Sequence, residues 1–309
     1  MIRILYRNLR SKEVQEPKSF QKGSWLHAES LTDRDRNFLT SKLHLDEGLL
    51  RDAEDQNEVP RMEVEDGITY IYTRFPYGDD GQIQTAPVLF AFDDSFVLTL
   101  SAQPFPALDR FLSGKIEFTT TQRTKLLLQI FTQINSSYVT NLNAINRKVR
   151  AVGSQLGAES ISNRDIVQLV KYENVLNDFL GSLIPTNNIL QTLISGKSAL
   201  PLYDDDKDLI EDLLLSNGQL IEMIKSNLRT IVNIRESYST IMTNNLNQVV
   251  KILTALTIVI TIPTMISSLY GMNVPLPFQT HPLAFLVIMI AIVVLSAATI
   301  YIFIKKRWL

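Results

Sequence analysis

Lys251-Ile252-Leu253-Thr254-Ala255-Leu256-Thr257-Ile258-Val259-Ile260-Thr261-Ile262-Pro263-Thr264-Met265-Ile266-Ser267-Ser268-Leu269-Tyr270-Gly271-Met272-Asn273 is the stretch on which the fold of this chain turns. It opens a segment without Asp, Glu, Lys or Arg that continues to Lys305. Within that segment Ile252 to Leu269 and Leu283 to Ile304 are apolar. A bilayer takes roughly 20 apolar residues in a helix at about 1.5 Å rise each, and both runs meet that length. Two spans joined by a short uncharged turn, following a long polar chain, predict a membrane protein.

The average composition conceals this. The chain is 45% hydrophobic and 20% charged with a formal net charge of -2, which reads as soluble. Yet all 32 acids precede Ser237, whereas Lys251, Lys305, Lys306 and Arg307 flank the apolar segment. The residues before Lys251 hold the other 26 of the 30 bases against 32 acids, a net charge of about -6. An acidic polar part argues against a nucleic-acid partner and is compatible with cation handling. There is no cysteine, so disulfides and thiolate metal sites are excluded. Met1 to Tyr6 reads as a short strand and lacks the apolar core and cleavage site of a signal peptide, so the polar part is expected to stay unexported. The positive-inside rule then puts both chain ends in the cytoplasm, with the turn facing outward in the cell membrane.

The first hundred or so residues read as α/β. Leu31-Thr32-Asp33 and Leu45-Asp46 open short helices, the second stopping before Pro60. Arg61 to Glu65, Ile68 to Phe75, Ala86 to Phe92 and Phe96 to Leu100 carry strand patterns, separated by Asp66-Gly67, Gly78-Asp79-Asp80-Gly81 and Asp93-Asp94. After Pro106 the period becomes helical. Leu127, Ile130, Ile134, Tyr138, Leu142, Ile145 and Val149 mark one long helix over about 119–152. A second runs from Asn163 towards Gly196 and is expected to break or kink at Pro185. A third starts near Asp204 with the stripe Ile210, Leu214, Ile221, Ile224, Leu228, Ile231, Tyr238, Met242, Val249 and has no stop before Gly271. Unbroken, it would be on the order of 100 Å long, linking the polar part mechanically to the first span. The fold class is thus α+β with long helices, followed by two transmembrane helices, the stalk helix being continuous with the first. The domain plan is an α/β domain over 1–105, long helices over 106–203, a stalk over 204–250, spans over 251–270 and 283–304 around a turn at 271–282, and a basic tail at 305–309.

Inside the first span Thr254, Thr257, Thr261, Thr264 and Ser268 recur at three- and four-residue steps, and Asn247 lies one heptad before Thr254. That spacing puts the hydroxyls on one helix face. They could line a tight helix contact while bonding back to their own backbone, or line a water-filled path. Two spans per chain cannot enclose a pore, so the second reading demands a homo-oligomer. No carboxylate or histidine lies within the spans, so a cation would meet hydroxyl, amide and carbonyl oxygens only. Such dipoles suit an ion that keeps its water, and Mg²⁺ is especially reluctant to dehydrate. Pro263 leaves the Val259 carbonyl without its helical donor and offers a place to bend, or a static kink.

Tyr270-Gly271-Met272-Asn273 after a Pro- and Thr-containing span, then a turn, a second span and Lys305-Lys306-Arg307-Trp308-Leu309, resembles the CorA family of magnesium and cobalt transporters. The resemblance covers essentially the whole chain. It implies a homopentamer with a funnel-shaped cytoplasmic domain, embedded in lipid, taking up Mg²⁺ and also Co²⁺ or Ni²⁺. It implies that Gly271, Met272 and Asn273 form the outer selectivity filter, where amide oxygens receive hydrated Mg²⁺ without holding it too tightly. Counting back from Asn273, the resemblance implies that Asn247 is a pore-facing Asn near the cytoplasmic end, that Leu253 or Thr254 falls near a hydrophobic constriction, and that the hydroxyl stripe lines the pore. Asp212, with Asp208 and Glu211 beside it, falls at a family position for regulatory Mg²⁺. Its partner acids are candidates only: Asp79, Asp80, Asp93 and Asp94. Lys251, Lys305, Lys306 and Arg307 would ring the cytoplasmic mouth.

Each of these has a plainer reading. Asp204-Asp205-Asp206 at a helix start complements the helix dipole, and bases with Trp308 anchor a helix end at the interface. Val274-Pro275-Leu276-Pro277-Phe278 lacks the acidic run of some relatives, so the outer mouth would rely on dipoles. His281 reads as an interfacial residue rather than a ligand. The alternatives are Zn²⁺ transport in a sister branch, which usually has Ile in place of Met272, and a non-conducting membrane tether or sensor. With three His, no Cys and no nucleotide-binding Gly-rich motif, an enzyme is not expected.

Overall fold

The computed structural model describes residues 2–10, 13–79, 82–155, 161–196, 202–277, 280–306 and 308. The chain folds as two compact units, Met1–Asn233 and Ile234–Leu309.

The first unit is built on a six-stranded sheet in the order β1-β2-β6-β5-β4-β3: β1 (Ile2–Leu5), β2 (Ser24–Glu29), β3 (Arg61–Glu65), β4 (Ile68–Asp79), β5 (Gln82–Phe92) and β6 (Phe96–Ser101). Only β2 and β6 run parallel, with Leu26 opposite Leu98; the other neighbours are antiparallel. Two short helices, α1 (Asp33–Leu43) and α2 (Glu47–Asp52), cover one face. There Leu39, Leu43, Leu49 and Leu50 join Leu26, Tyr70, Tyr72, Leu89, Ala91, Leu98 and Leu100 in one buried cluster. The alternate residues point to the other face, where Phe90 meets Phe131 with ring centroids 5.1 Å apart and Trp25 meets Phe111 and Phe118 at 5.7 Å each. Helices lie on both faces, which is why β5 and β6 are buried along seven and six consecutive residues without alternation.

Three further helices follow in this part: α3 (Ala107–Leu112), α4 (Arg123–Ser154) and α5 (Asn163–Ile194). The expected stripe of α4, Leu127 to Val149, is buried throughout. Capping chemistry sets the starts. Thr32 and Ser162 each form a capping box with an Asp three residues on, satisfying orphan donors of α1 and α5. Two expectations are narrowed. Of the break or kink expected at Pro185 the break does not occur, since α5 runs through it; Gly181, whose carbonyl the proline ring crowds, has no side chain to resist the adjustment. Gly78 and Asp79 are not loop residues but pair with Ile83 and Gln82, so both strands run further than expected.

α6 runs from Asp204 to Tyr270 as one 67-residue helix, as expected from the absence of a stop signal. Its buried ridge in the first unit is Ile210, Leu213, Asn217, Leu220, Ile224, Asn227 and Ile231, a three-four repeat. Leu214, Ile221 and Leu228 of the expected stripe are its flanks, because two of the ridge positions are asparagines that hydropathy assigns to the surface. α7 (Ala284–Lys305) completes the chain. α4 and α5 pack on the sheet, so residues 1–105 and 106–203 fold within a single unit.

Candidate ion path

In the second unit, α6 to Tyr270 and α7 are both long and apolar enough to cross a membrane. Their large side chains point outward. Leu253 is 63% exposed, Met265 61% and Phe285 78%, and α7 has no buried residue. A surface this apolar requires lipid or another protein against it.

Two stripes of reduced exposure run along the helices. On α6 they are Ala255, Val259, Ile262, Pro263 and Ile266; on α7, Ala284, Ile288, Ile292, Ser296, Thr299 and Phe303. In a unit of two helices these stripes mark the faces turned toward each other. Thr254, Thr257, Thr261, Thr264 and Ser268 are all exposed or border the exposed face. At 100° per residue, their stripe is centred about 165° around the helix from the Ala255 stripe. The hydroxyls therefore do not line the contact with the chain's own second span. Asn247 and Leu253, also exposed, fall within about 60° of the hydroxyl centre.

Each threonine bonds back to its own helix. The Oγ1 atoms of Thr254, Thr257, Thr261 and Thr264 donate to the carbonyls of Val250, Leu253, Thr257 and Ile260 at 2.8, 2.8, 2.7 and 3.0 Å. A hydroxyl has one proton and two lone pairs. With the proton committed inward, what remains toward the exterior is acceptor capacity. A row of acceptors suits a partner that presents hydrogens outward, as the water shell of a cation does. The back-bonding expected of a tight helix contact is therefore present, and it leaves acceptor capacity on the outward face.

At the end of α6 the chain turns tightly. The Gly271 N–H donates to Ser267 O at 3.0 Å and the Met272 N–H to Leu269 O at 3.3 Å. A Cβ on Gly271 would lie 3.3 Å from Ser267 O and 3.5 Å from Ser268 O, so a side chain there would need the helix end to give slightly. The Tyr270 hydroxyl reaches Pro277 O at 3.4 Å. Met272 and Asn273 are exposed beyond the helix. His281 has a structural task, its Nδ1 accepting the Leu283 N–H at 3.2 Å and its carbonyl the Ala284 N–H at 3.0 Å, which starts α7.

At the other end of the two apolar helices Lys251 is exposed on α6, Lys305 ends α7 and Lys306 follows it. Trp308 stacks on Phe303 with centroids 5.6 Å apart and donates its backbone N–H to Phe303 O at 2.9 Å, which folds the tail back on the helix end. Arg307 lies outside the described residues.

Asp208, Glu211 and Asp212 lie near the start of α6, away from its buried ridge. Asp206 is buried and accepts the Tyr203 N–H at 3.2 Å, a capping role. Among the described residues no group of three or more His, Asp or Glu could hold a metal. Asp93 is a turn residue, its Oδ1 accepting from Ser95 N, Ser95 Oγ and Phe96 N at 2.6, 2.7 and 3.0 Å. Asp94 pairs with Arg123 at 3.2 Å. Asp80 falls outside the described residues.

Residues 20–306 match the model of a family described as CorA-like Mg²⁺ transporter protein. The chain belongs to that family. This CorA-family chain is 25% identical over 293 residues to the cobalt/magnesium transport protein CorA of Methanocaldococcus jannaschii, covering 92% of the chain and 91% of the relative. Its fold matches the complete CorA structure from that organism with a TM-score of 0.88 at 22% identity, covering 100% of this chain and 99% of that one. It also matches the full-length CmaX protein at a TM-score of 0.75 and 18% identity, covering 99% and 97%. The family is one of transporters rather than enzymes, and the two exposed apolar helices agree with a membrane protein.

Proposed function

We propose that this CorA-family chain forms a homopentameric channel that takes up Mg²⁺, and also Co²⁺, across the cell membrane, with both chain ends in the cytoplasm. The observation that carries this reading is the hydroxyl stripe of α6, turned away from α7 and ending at Gly271-Met272-Asn273. Neither lipid nor α7 gives a reason for five hydroxyls on one face. Water-filled space between copies of α6 does.

In this reading residues 271–273 receive the hydrated ion at the outer mouth, where the Asn273 amides and backbone carbonyls accept hydrogen bonds from its coordinated water. The ion then passes Ser268, Thr264, Thr261, Thr257 and Thr254 in turn. No carboxylate along the way would hold it in a deep well, so it can leave. Leu253 and Thr254 narrow the path, Asn247 faces it at the cytoplasmic end, and Lys251, Lys305, Lys306 and Arg307 surround the exit. Residues 1–203 and the stalk at 204–250 are the cytoplasmic control part. Mg²⁺ in the cytoplasm bridges Asp208, Glu211 and Asp212 of one subunit to acids of a neighbour and holds the path shut. Their position off the buried ridge, and the absence of a complete metal group among the described residues of one chain, favour a site shared between subunits.

The test is ion flux into liposomes containing the purified protein, comparing Mg²⁺, Co²⁺ and Zn²⁺. Asn273→Ala should abolish Mg²⁺ entry while the oligomer stays intact by size-exclusion chromatography. Unchanged flux would sink the filter assignment; Zn²⁺ passage without Mg²⁺ would move the protein to the zinc-transporting alternative.

A further inference from the structure

Ser296 is a polar group out of place. Its Oγ is buried and has no hydrogen-bond partner among the described residues. The threonine one turn further along α7 behaves otherwise, Thr299 donating to Leu295 O at 2.8 Å, as do the threonines of α6. Ser296, like Thr299, belongs to the α7 stripe that is turned toward α6, but makes no such bond.

A second group, on the facing helix, lacks its regular helical partner. Pro263 has no N–H, so the carbonyl four residues earlier, at Val259, lacks its helical donor. Val259 belongs to the α6 stripe that is turned toward α7. The two stripes also agree in depth. The helices are joined by the turn after Tyr270, and counting away from it pairs Ile266 with Ile288, Ile262 with Ile292, Val259 with Ser296 and Ala255 with Thr299. Val259 and Ser296 are 11 and 12 residues from the ends of α6 and α7 that adjoin the turn, about 17 Å along each axis. A hydroxyl without an acceptor and a carbonyl without a donor therefore lie at one level on facing helix surfaces. In the hydrocarbon region neither can turn to water, and an unsatisfied group there is costly.

We propose that Ser296 is a positioning residue whose hydroxyl donates to the Val259 carbonyl when α6 bends at Pro263, clasping the second span to the ion-path helix. The bend is where a proline-bearing helix yields, and it carries Val259 relative to the helix beyond it. The clasp gives that bend two states. In the straight helix both groups are unpaired; in the bent one each satisfies the other. Its effect on ion passage rests on the ion-path reading above, whereas the bond itself rests only on the geometry of the two helices.

The experiment is a double-mutant cycle in the full-length oligomer in lipid nanodiscs: parent, Ser296→Ala, Pro263→Ala and the pair. Pro263→Ala restores an N–H for Val259 and removes the need for Ser296. Ser296→Ala should lower the melting temperature by about 2 °C with Pro263 present and by much less with Ala at 263. An equal shift in both backgrounds, or none with Pro263 present, overturns the clasp. In liposomes Ser296→Ala should change Mg²⁺ flux roughly threefold or more only when Pro263 is present. Because the melting cycle does not depend on transport, failure of the channel reading and failure of the clasp are separable. The absence of native cysteine allows an independent check. Val259→Cys with Ser296→Cys should cross-link oxidatively, while Val259→Cys with Leu295→Cys should not; the reverse pattern overturns the facing.

Discussion

Asn217 of α6 donates its side-chain Nδ2 to the main-chain carbonyl of Leu183 on α5 at 2.9 Å, in a site where Asn217 is 2% exposed. A second contact to Asn187 Oδ1 at 3.3 Å completes the anchor. An asparagine in a buried ridge fixes register, because sliding by one turn would strand its amide among leucines.

Replacing Asn217 by Ala removes that bond and leaves the amide's space empty. The expected cost is about 1–3 kcal/mol, seen as a lower melting temperature of the full-length protein. Asn217→Leu should recover part of the stability and none of the register specificity. No loss in Asn217→Ala would mean that the anchor contributes nothing.

The hydroxyl stripe supplies a second expectation. Thr261→Val keeps the shape and removes the outward acceptor, so Mg²⁺ flux should fall by about tenfold, roughly 1.4 kcal/mol of barrier. Thr299→Val on α7, whose hydroxyl is likewise committed to its own backbone, should stay within about twofold of the parent. Equal effects at both positions would show that the α6 stripe does not face the ion.

For the cytoplasmic acids, Asp212→Ala should weaken inhibition of influx by internal Mg²⁺ in an oligomer that still assembles. The shift expected for loss of one carboxylate ligand is about tenfold in the inhibitory concentration. Unchanged inhibition would leave Asp212 a solvated surface acid.

A pH effect follows from His27, which is buried with Nδ1 2.7 Å from Thr99 Oγ1 and Nε2 3.3 Å from Glu29 Oε1. Burial lowers the imidazole pKa; the hydrogen bond and charge of Glu29 oppose this in part, and the Arg3 charge adds to the lowering. The folded protein therefore binds the proton less readily than the unfolded chain does. Its contribution to stability is complete above about pH 6.5, the ordinary imidazole value, and is lost as pH falls from there through the folded-state value. Burial raises the pKa of Glu29, but hydrogen bonds from Phe105 N and His27 outweigh it and leave the value lowered, which extends the acid loss below about pH 4.5. His27→Gln should flatten the decline of melting temperature in the upper window and shorten the lower one, where the Phe105 N–H bond to Glu29 remains. A decline unchanged by His27→Gln would clear His27 of any part in it.

Much of the architecture is legible in the sequence because its signals are local. Thr32 and Asp46 announce α1 and α2 through side chains that cap their own backbones. The stripe of α4 repeats at the helical period for 23 residues, from Leu127 to Val149. β2 escapes such a reading because Ser24 to Glu29 is buried on both faces and mixes His27 with Trp25, Leu26 and Ala28, so nothing alternates. Asn217 escapes it as a ridge position because the amide's partner on α5 is distant in sequence.

For the membrane part, hydropathy suffices to locate two spans, since a bilayer accepts uncharged helices whatever their partners. Periodicity likewise suffices to place five hydroxyls on one face. Which way that face turns depends on α7, because the spacing of hydroxyls is the same whether they meet a helix or water. Packing Ala255, Val259, Ile262 and Ile266 toward α7 leaves the hydroxyls on the opposite side. It also places Ser296 level with the carbonyl whose helical donor Pro263 removes, an alignment of residues 37 positions apart that only the return of the chain along its own first span could create.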